Sequence, residues 1–242
     1  MKVPKLILLF LSTIYSSVSA QTGYNFGLTV GSGLNLYHNS EPSDKNHFDF
    51  KNSISFYVGG RLIKNVDEKN NLFFEAIYGI KKIEFQYTLN ETEIPANYSE
   101  IYGKNYSVFS IYFGYRRFIN MYSYAFFLEG SVEGDFNNNY AISGRSGFGT
   151  TNDVPIYGEY QHVENLDEKT ITTSANIGAG INFGKENQFD LGFGLNFPFQ
   201  NIQKDPSEYK VLLKYNHRDY THSLKYIGKI YYASLRFTYY FN

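Results

Sequence analysis

Ile171-Thr172-Thr173-Ser174-Ala175-Asn176-Ile177-Gly178-Ala179-Gly180-Ile181-Asn182-Phe183 alternates without a break. Its odd positions carry Ile171, Ile177, Ile181 and Phe183, with Thr and Ala between them. Its even positions carry only Thr, Ser, Asn and Gly. Successive side chains of an extended backbone point to opposite faces, so this stretch is a strand with one apolar face and one small polar face.

The same signature recurs at residues 24–36, 53–62, 72–87, 109–116, 126–136, 189–199 and 231–241. In residues 72–87 the alternation slips at Lys81-Lys82. A β-bulge there, with Ile83, Phe85 and Tyr87 continuing the outer apolar face, is the expectation. About eight strands result, each close to the ~9–11 residues that a tilted membrane strand needs. Short connections fall near residues 64–71, 119–124 and 184–188. Long ones fall near 38–51, 88–105, 137–169 and 200–229. Pro42, Pro95, Pro155 and Pro206 lie in the long connections and Pro198 at a strand end, so none removes a ladder donor from a strand centre. Residues 208–215 read as an extra hairpin arm, which leaves a ten-strand count open. The expected fold is all-β: an antiparallel, up-and-down transmembrane β-barrel.

A soluble barrel alternates in the same way, and the composition of the polar face separates the two. That face is mostly Gly, Ser, Thr and Asn, which suits the crowded lumen of an eight-stranded barrel. The apolar faces carry essentially no charge at mid-strand, as lipid contact demands. Aromatic residues gather near both strand ends. Tyr24, Tyr115, Phe126, Phe183, Phe189, Tyr239 and Phe241 mark one rim, and Phe85, Tyr87, Phe109, Phe136, Phe197 and Phe199 the other, as interfacial girdles do. The first 20 residues read as a cleaved signal peptide. Lys2 and Lys5 precede the apolar run 6–14, which is too short to span a bilayer, and Val18-Ser19-Ala20 precedes the cut. The barrel domain then covers residues 21–242, in the outer membrane of a Gram-negative cell.

Phe26-Gly27-Leu28-Thr29-Val30-Gly31-Ser32-Gly33-Leu34-Asn35-Leu36 resembles the opening strand of the PorT-like outer-membrane β-barrel domain family. Leu235-Arg236-Phe237-Thr238-Tyr239-Tyr240-Phe241-Asn242 is similar to the terminal strand that the barrel-assembly machinery recognises, although the chain ends one residue past the closing aromatic. The resemblance implies fold and location. That family is functionally mixed, so no activity or site follows from it.

The expected lumen holds Arg61, Glu75, Lys81, Arg116, Glu129, Glu133, Asp135, Asp190 and Arg236. Buried charges need partners, so a salt-bridged plug is the leading expectation. The alternative is a narrow solute path in which Glu129, Glu133 and Asp135 favour cations. All five histidines (His38, His47, His162, His217 and His222) fall in the long connections. His217, Asp219 and His222 match no defined metal spacing, and no metal or cofactor site is expected. His38-Asn39-Ser40 faintly resembles the His-x-Ser of lipid A deacylases, but it ends the first strand, where that family does not place it. No third catalytic member accompanies it, so no catalytic residue is expected. The sequons at Asn97 and Asn105 carry no weight in a bacterial chain.

With 22 basic and 23 acidic residues the chain has a formal charge of -1, which gives nucleic acid nothing to bind. With no cysteine it has no disulfide, thiolate metal site or catalytic thiol. The expected partners are outer-membrane lipid and lipopolysaccharide, the barrel-assembly machinery, and an envelope or surface protein. The expected role is a non-enzymatic surface or scaffold protein that acts through the loops 137–169 and 200–229. A narrow channel, and an enzyme acting on envelope lipid or peptide, are the alternatives.

Overall fold

A computed structural model describes residues 23–40, 47–89, 99–121, 124–139, 149–151, 154–163, 171–184, 188–202, 207–215 and 218–241. The chain is β-strand almost throughout. Its strands are β1 (Tyr24–Asn39), β2 (Phe48–Lys51), β3 (Ser53–Asn65), β4 (Asn70–Thr88), β5 (Ser99–Met121), β6 (Tyr124–Asn139), β7 (Gly149–Thr151), β8 (Val154–Val163), β9 (Ile171–Phe183), β10 (Phe189–Pro198), β11 (Ser207–Tyr215), β12 (Arg218–Tyr226) and β13 (Gly228–Phe241).

Eight of them close into an antiparallel ring in the order β1-β3-β4-β5-β6-β9-β10-β13, with β13 returning to β1. These are the eight strands that the alternation marks. The ends of the chain join through a long ladder from Phe26 opposite Phe241 to Asn39 opposite Gly228. Closure leaves no edge, the condition for spanning a bilayer with strands.

The ring shows lipid its apolar side. On β4 the outward series Leu72, Phe74, Ala76, Tyr78 and Ile80 gives way to the ion pair of Lys82 and Glu84. That is nine residues of apolar wall, the length a tilted membrane strand requires. Phe56, 72% exposed, and Phe113, 58% exposed, stand on the same belt. A soluble protein does not hold such rings of bare phenyl groups in water. The barrel therefore sits in an outer membrane, where closed barrels with this belt are found. The short turns, the start of β1 and the end of β13 mark its periplasmic mouth. Phe183 and Phe189 stack there at 5.6 Å, Phe189 meets Tyr239 at 5.2 Å, and Phe26 stacks on Phe241 at 6.1 Å.

Three sequence expectations are corrected. The β4–β5 ladder runs in one register from Asn70 opposite Arg117 to Thr88 opposite Ser99, so β4 has no bulge at Lys81-Lys82. The odd positions stay inward throughout, and Ile83, Phe85 and Tyr87 are buried rather than lipid-facing. Phe85 and Tyr87 therefore do not belong to the upper girdle, whereas Phe109 and Phe136 pair on the outer wall at 6.3 Å. The extra residue lies on the other side of β4. Lys51 faces Glu84 and Tyr57 faces Gly79, so five residues of the β2–β3 side span four of β4. Finally, residues 208–215 do form a hairpin arm, but β11 and β12 stay out of the ring. They join β8 and β7 in a separate sheet of order β12-β11-β8-β7.

Candidate functional site

The lumen divides into three storeys by side-chain chemistry. The lowest is an ion-pair knot. Arg61 and Glu75 are register partners across β3 and β4, as are Arg116 and Glu129 across β5 and β6. Arg61 Nη2 donates to Glu129 Oε2 at 2.7 Å, Arg116 Nη2 donates to the same oxygen at 3.0 Å, and Arg236 Nη2 bonds Glu129 Oε1. Arg236 Nη1 also reaches Glu75 at 3.2 Å, and Arg116 Nη1 reaches Asp190 at 2.6 Å. Three guanidinium groups thus face three carboxylates: the forks of Arg116 and Arg236 each bond two of them, while Arg61 bonds Glu129 and stands 3.6 Å from Glu75.

Aromatic faces complete the shell. Arg61 lies 3.9 Å from the Phe73 ring centroid and Arg116 3.7 Å from that of Phe127. Room for these rings comes from glycine. A Cβ on Gly180 would lie 2.4 Å from Phe127 Cζ, and one on Gly31 would lie 2.3 Å from Tyr57 Cζ. This is why the polar face is so rich in glycine: the small residues leave volume that large inward side chains fill.

The middle storey centres on Glu133. Its Oε2 accepts from Ser174 at 2.9 Å, Asn176 at 3.0 Å, Asn196 at 2.7 Å and the Tyr232 hydroxyl at 2.8 Å. Its Oε1 accepts from Tyr112 at 2.8 Å and lies 3.4 Å from Lys81 Nζ. Lys81 also donates to Asp135 at 2.5 Å, and Asp135 accepts from Ser110. Lys81 Nζ stands 4.6 Å over the Tyr232 ring. Charge-assisted bonds in such number hold a carboxylate in place. What space is left is small: a cavity of about 30 Å³ between the two storeys, and two of about 20 Å³ beside Lys81. Each has room for about one or two water molecules.

Above Lys81 the lumen turns apolar. Ile83, Phe85 and Tyr87 of β4, Tyr106 and Val108 of β5 and Ile230 of β13 pack against Phe48 of β2, Tyr209 and Val211 of β11, and Leu224 and Tyr226 of β12. The inner face of the extracellular sheet therefore lies on the barrel mouth as a lid with its own core, each such side chain contributing on the order of 1.5–3 kcal/mol by burial. Asn39 fastens the edge of that lid. Its Nδ2 donates to the Lys225 carbonyl at 3.3 Å, and its Oδ1 accepts from the Ile227 amide at 3.1 Å.

All nine charged residues expected in the lumen are thus there, and they are joined to one another. The histidines are placed differently. His38 lies next to the end of β1 and His162 lies on β8. His47 and His222 stack at 3.9 Å, and the Tyr87 hydroxyl is 2.7 Å from His222 Nδ1. Asp219 and His222 fall on opposite faces of β12, exposed and buried respectively. His217, the sequon at Asn97 and the expected leader 1–20 lie outside the described residues, and Asn105 sits within β5. Among the described residues no group of three or more His, Asp or Glu side chains is placed to hold a metal ion. The tyrosines that close the lumen, Tyr112, Tyr232 and Tyr240, had inward parity as their only sign in the sequence.

No family model matches the chain, and no curated protein matches it. Solved structures with a similar trace include the outer membrane protein OprG from Pseudomonas aeruginosa. It is 7% identical over 92% of this chain and 97% of that one, with a TM-score of 0.47. Neisserial surface protein A is 11% identical over 89% and 97%, with a TM-score of 0.36. Ail, the attachment invasion locus protein of Yersinia pestis, in complex with the heparin analogue sucrose octasulfate, is 11% identical over 91% and 100%, with a TM-score of 0.35. The membrane assignment rests on the belt and the closed ring, not on these likenesses.

Proposed function

We propose that this outer-membrane barrel is a non-conducting, non-enzymatic scaffold whose folded extracellular sheet is its contact surface. The observation that carries the reading is the doubly closed lumen: ion-paired side chains at the base, and an apolar lid at the top. A solute would have to break the knot around Glu129 and then lift β11 and β12 off the mouth. The ring instead carries β11 and β12 over its mouth, where they extend into a sheet with β8 and β7. Display of variable surface on a stiff scaffold is how binding work is commonly arranged. The partners this reading takes are lipid and lipopolysaccharide on the belt, the assembly machinery at β13, and an envelope or surface protein on the sheet.

Planar-bilayer recording of the refolded mature chain tests it. The expected trace stays at the lipid baseline. Reproducible conductance steps that change when Glu129 and Glu133 are neutralised would overturn the scaffold in favour of a narrow channel.

A further inference from the structure

The periplasmic mouth is open where the extracellular one is covered. A bowl of about 390 Å³ lies there, within the size range of small-ligand sites. Four inward strand ends bring asparagine to its wall: Asn25 on β1, Asn65 on β3, Asn71 on β4 and Asn182 on β9. Asn182 is engaged, donating to Asp190 at 2.7 Å. The amides of Asn25, Asn65 and Asn71 make no side-chain hydrogen bond, although Asn71 is only 6% exposed. Their donors and acceptors therefore face the open space of the bowl, where a ligand amide can take the place of water. Three of them around one bowl form a set of idle donors and acceptors.

The described lining offers an anion no uncommitted cation, and Asp67 and Glu68 at the rim repel one. Arg116, at its floor, is committed to Glu129 and Asp190, and Tyr240 donates to Asp190 at 2.6 Å. At the rim Asp67 is held by Asn70 and by the amide of Lys69. The ring of Phe118 adds an apolar surface to the wall. We propose that this bowl binds a neutral acetamido sugar, its amide answering the idle carboxamides and its ring face lying on Phe118 and Tyr240. The chemistry is shared by free acetamido-sugar fragments and by intact cell-wall glycan, both of which face this mouth. The proposal does not depend on what the extracellular sheet binds.

The mature chain, refolded in detergent, is titrated with the β1,4-linked trimer of N-acetylglucosamine and with the corresponding trimer of glucose, by calorimetry. The acetamido trimer is expected to bind at least tenfold more tightly than the glucose trimer. Asn71→Leu and Asn65→Leu are each expected to weaken it at least tenfold while heat-modifiable gel migration is unchanged. Asn65 is exposed, so its variant reports even if Asn71→Leu misfolds. No binding, equal binding of the two trimers, or binding indifferent to Asn65→Leu overturns the site. Co-sedimentation with purified cell-wall sacculi assigns the source: capture that needs Asn65 identifies the intact strand, and its absence with retained trimer binding identifies the free fragment.

Discussion

Lys81 Nζ lies 2.5 Å from Asp135 Oδ2, at the height where the lumen changes from charged to apolar. Ile83, two residues further along the same face of β4, is wholly buried in the lid core. The one ammonium group of the middle storey thus serves two carboxylates just below a hydrophobic ceiling.

Replacing it should be costly. Lys81→Met leaves Glu133 and Asp135 buried without their cation and is expected to destabilise the barrel by about 3–5 kcal/mol. Urea unfolding in lipid vesicles measures this. The double variant with Asp135→Asn is expected to recover at least half of the loss. A double variant as unstable as the single one would show that the pair is not the source of the effect.

Glycine supplies a test of the filled lumen. A Cβ at Gly180 would lie 2.3 Å from the Leu191 carbonyl oxygen and 2.4 Å from Phe127 Cζ, whereas one at Gly134 meets nothing within 4 Å. Gly180→Ala should cost roughly 1–3 kcal/mol through overpacking. Gly134→Ala should be neutral or stabilise by up to about 1 kcal/mol by restricting the unfolded chain. Comparable midpoints for the two variants would contradict the close approach of Phe127.

The belt can be probed by charge. Leu128 is 54% exposed at mid-wall, and Val66 is 57% exposed in the β3–β4 turn. Leu128→Arg is expected to cost about 2–4 kcal/mol in a bilayer, and Val66→Arg close to nothing. Equal tolerance of the two changes would mean that Leu128 does not face lipid.

Asp67 orders the turn between β3 and β4. Its carboxylate accepts from the Asn70 side chain at 2.7 Å and from the Lys69 amide at 2.8 Å, and these bonds hold it below the ordinary aspartate range. A folded value below the unfolded one stabilises above the unfolded value and is lost as pH falls through the folded value. The turn should therefore be fully ordered at neutral pH and loosen only in acid below the usual aspartate titration. Amide chemical shifts of Lys69 and Asn70 report it. A midpoint at or above the ordinary aspartate value would refute the hydrogen-bonded geometry.

Much of the ring was legible because lipid and lumen impose opposite demands on alternate residues, and residues 171–183 show this directly. The nine lumen charges followed from parity alone. Where that contrast disappears, so does legibility. Ile83, Phe85 and Tyr87 are apolar residues facing inward, and in sequence they resemble a lipid-facing run displaced by one. Only the unbroken β4–β5 ladder shows that they lie under a lid. The lid itself was hidden because its strands belong to long connections, and β8 and β11 pair across 44 or more intervening residues, the fewest between Val163 and Glu208. No local pattern signals such a partner. The idle asparagines at the mouth have no motif at all, since they come from three different strands.

The pairing of β8 with β11 ties together two connections that would otherwise vary independently. One lies between β6 and β9, the other between β10 and β13, and their backbones share one ladder from Tyr157 opposite Lys214 to Val163 opposite Glu208. An insertion in either shifts the register of both. Diversity at this surface must therefore arise by matched changes in two distant stretches of the gene, or be confined to the turns where the ladder ends.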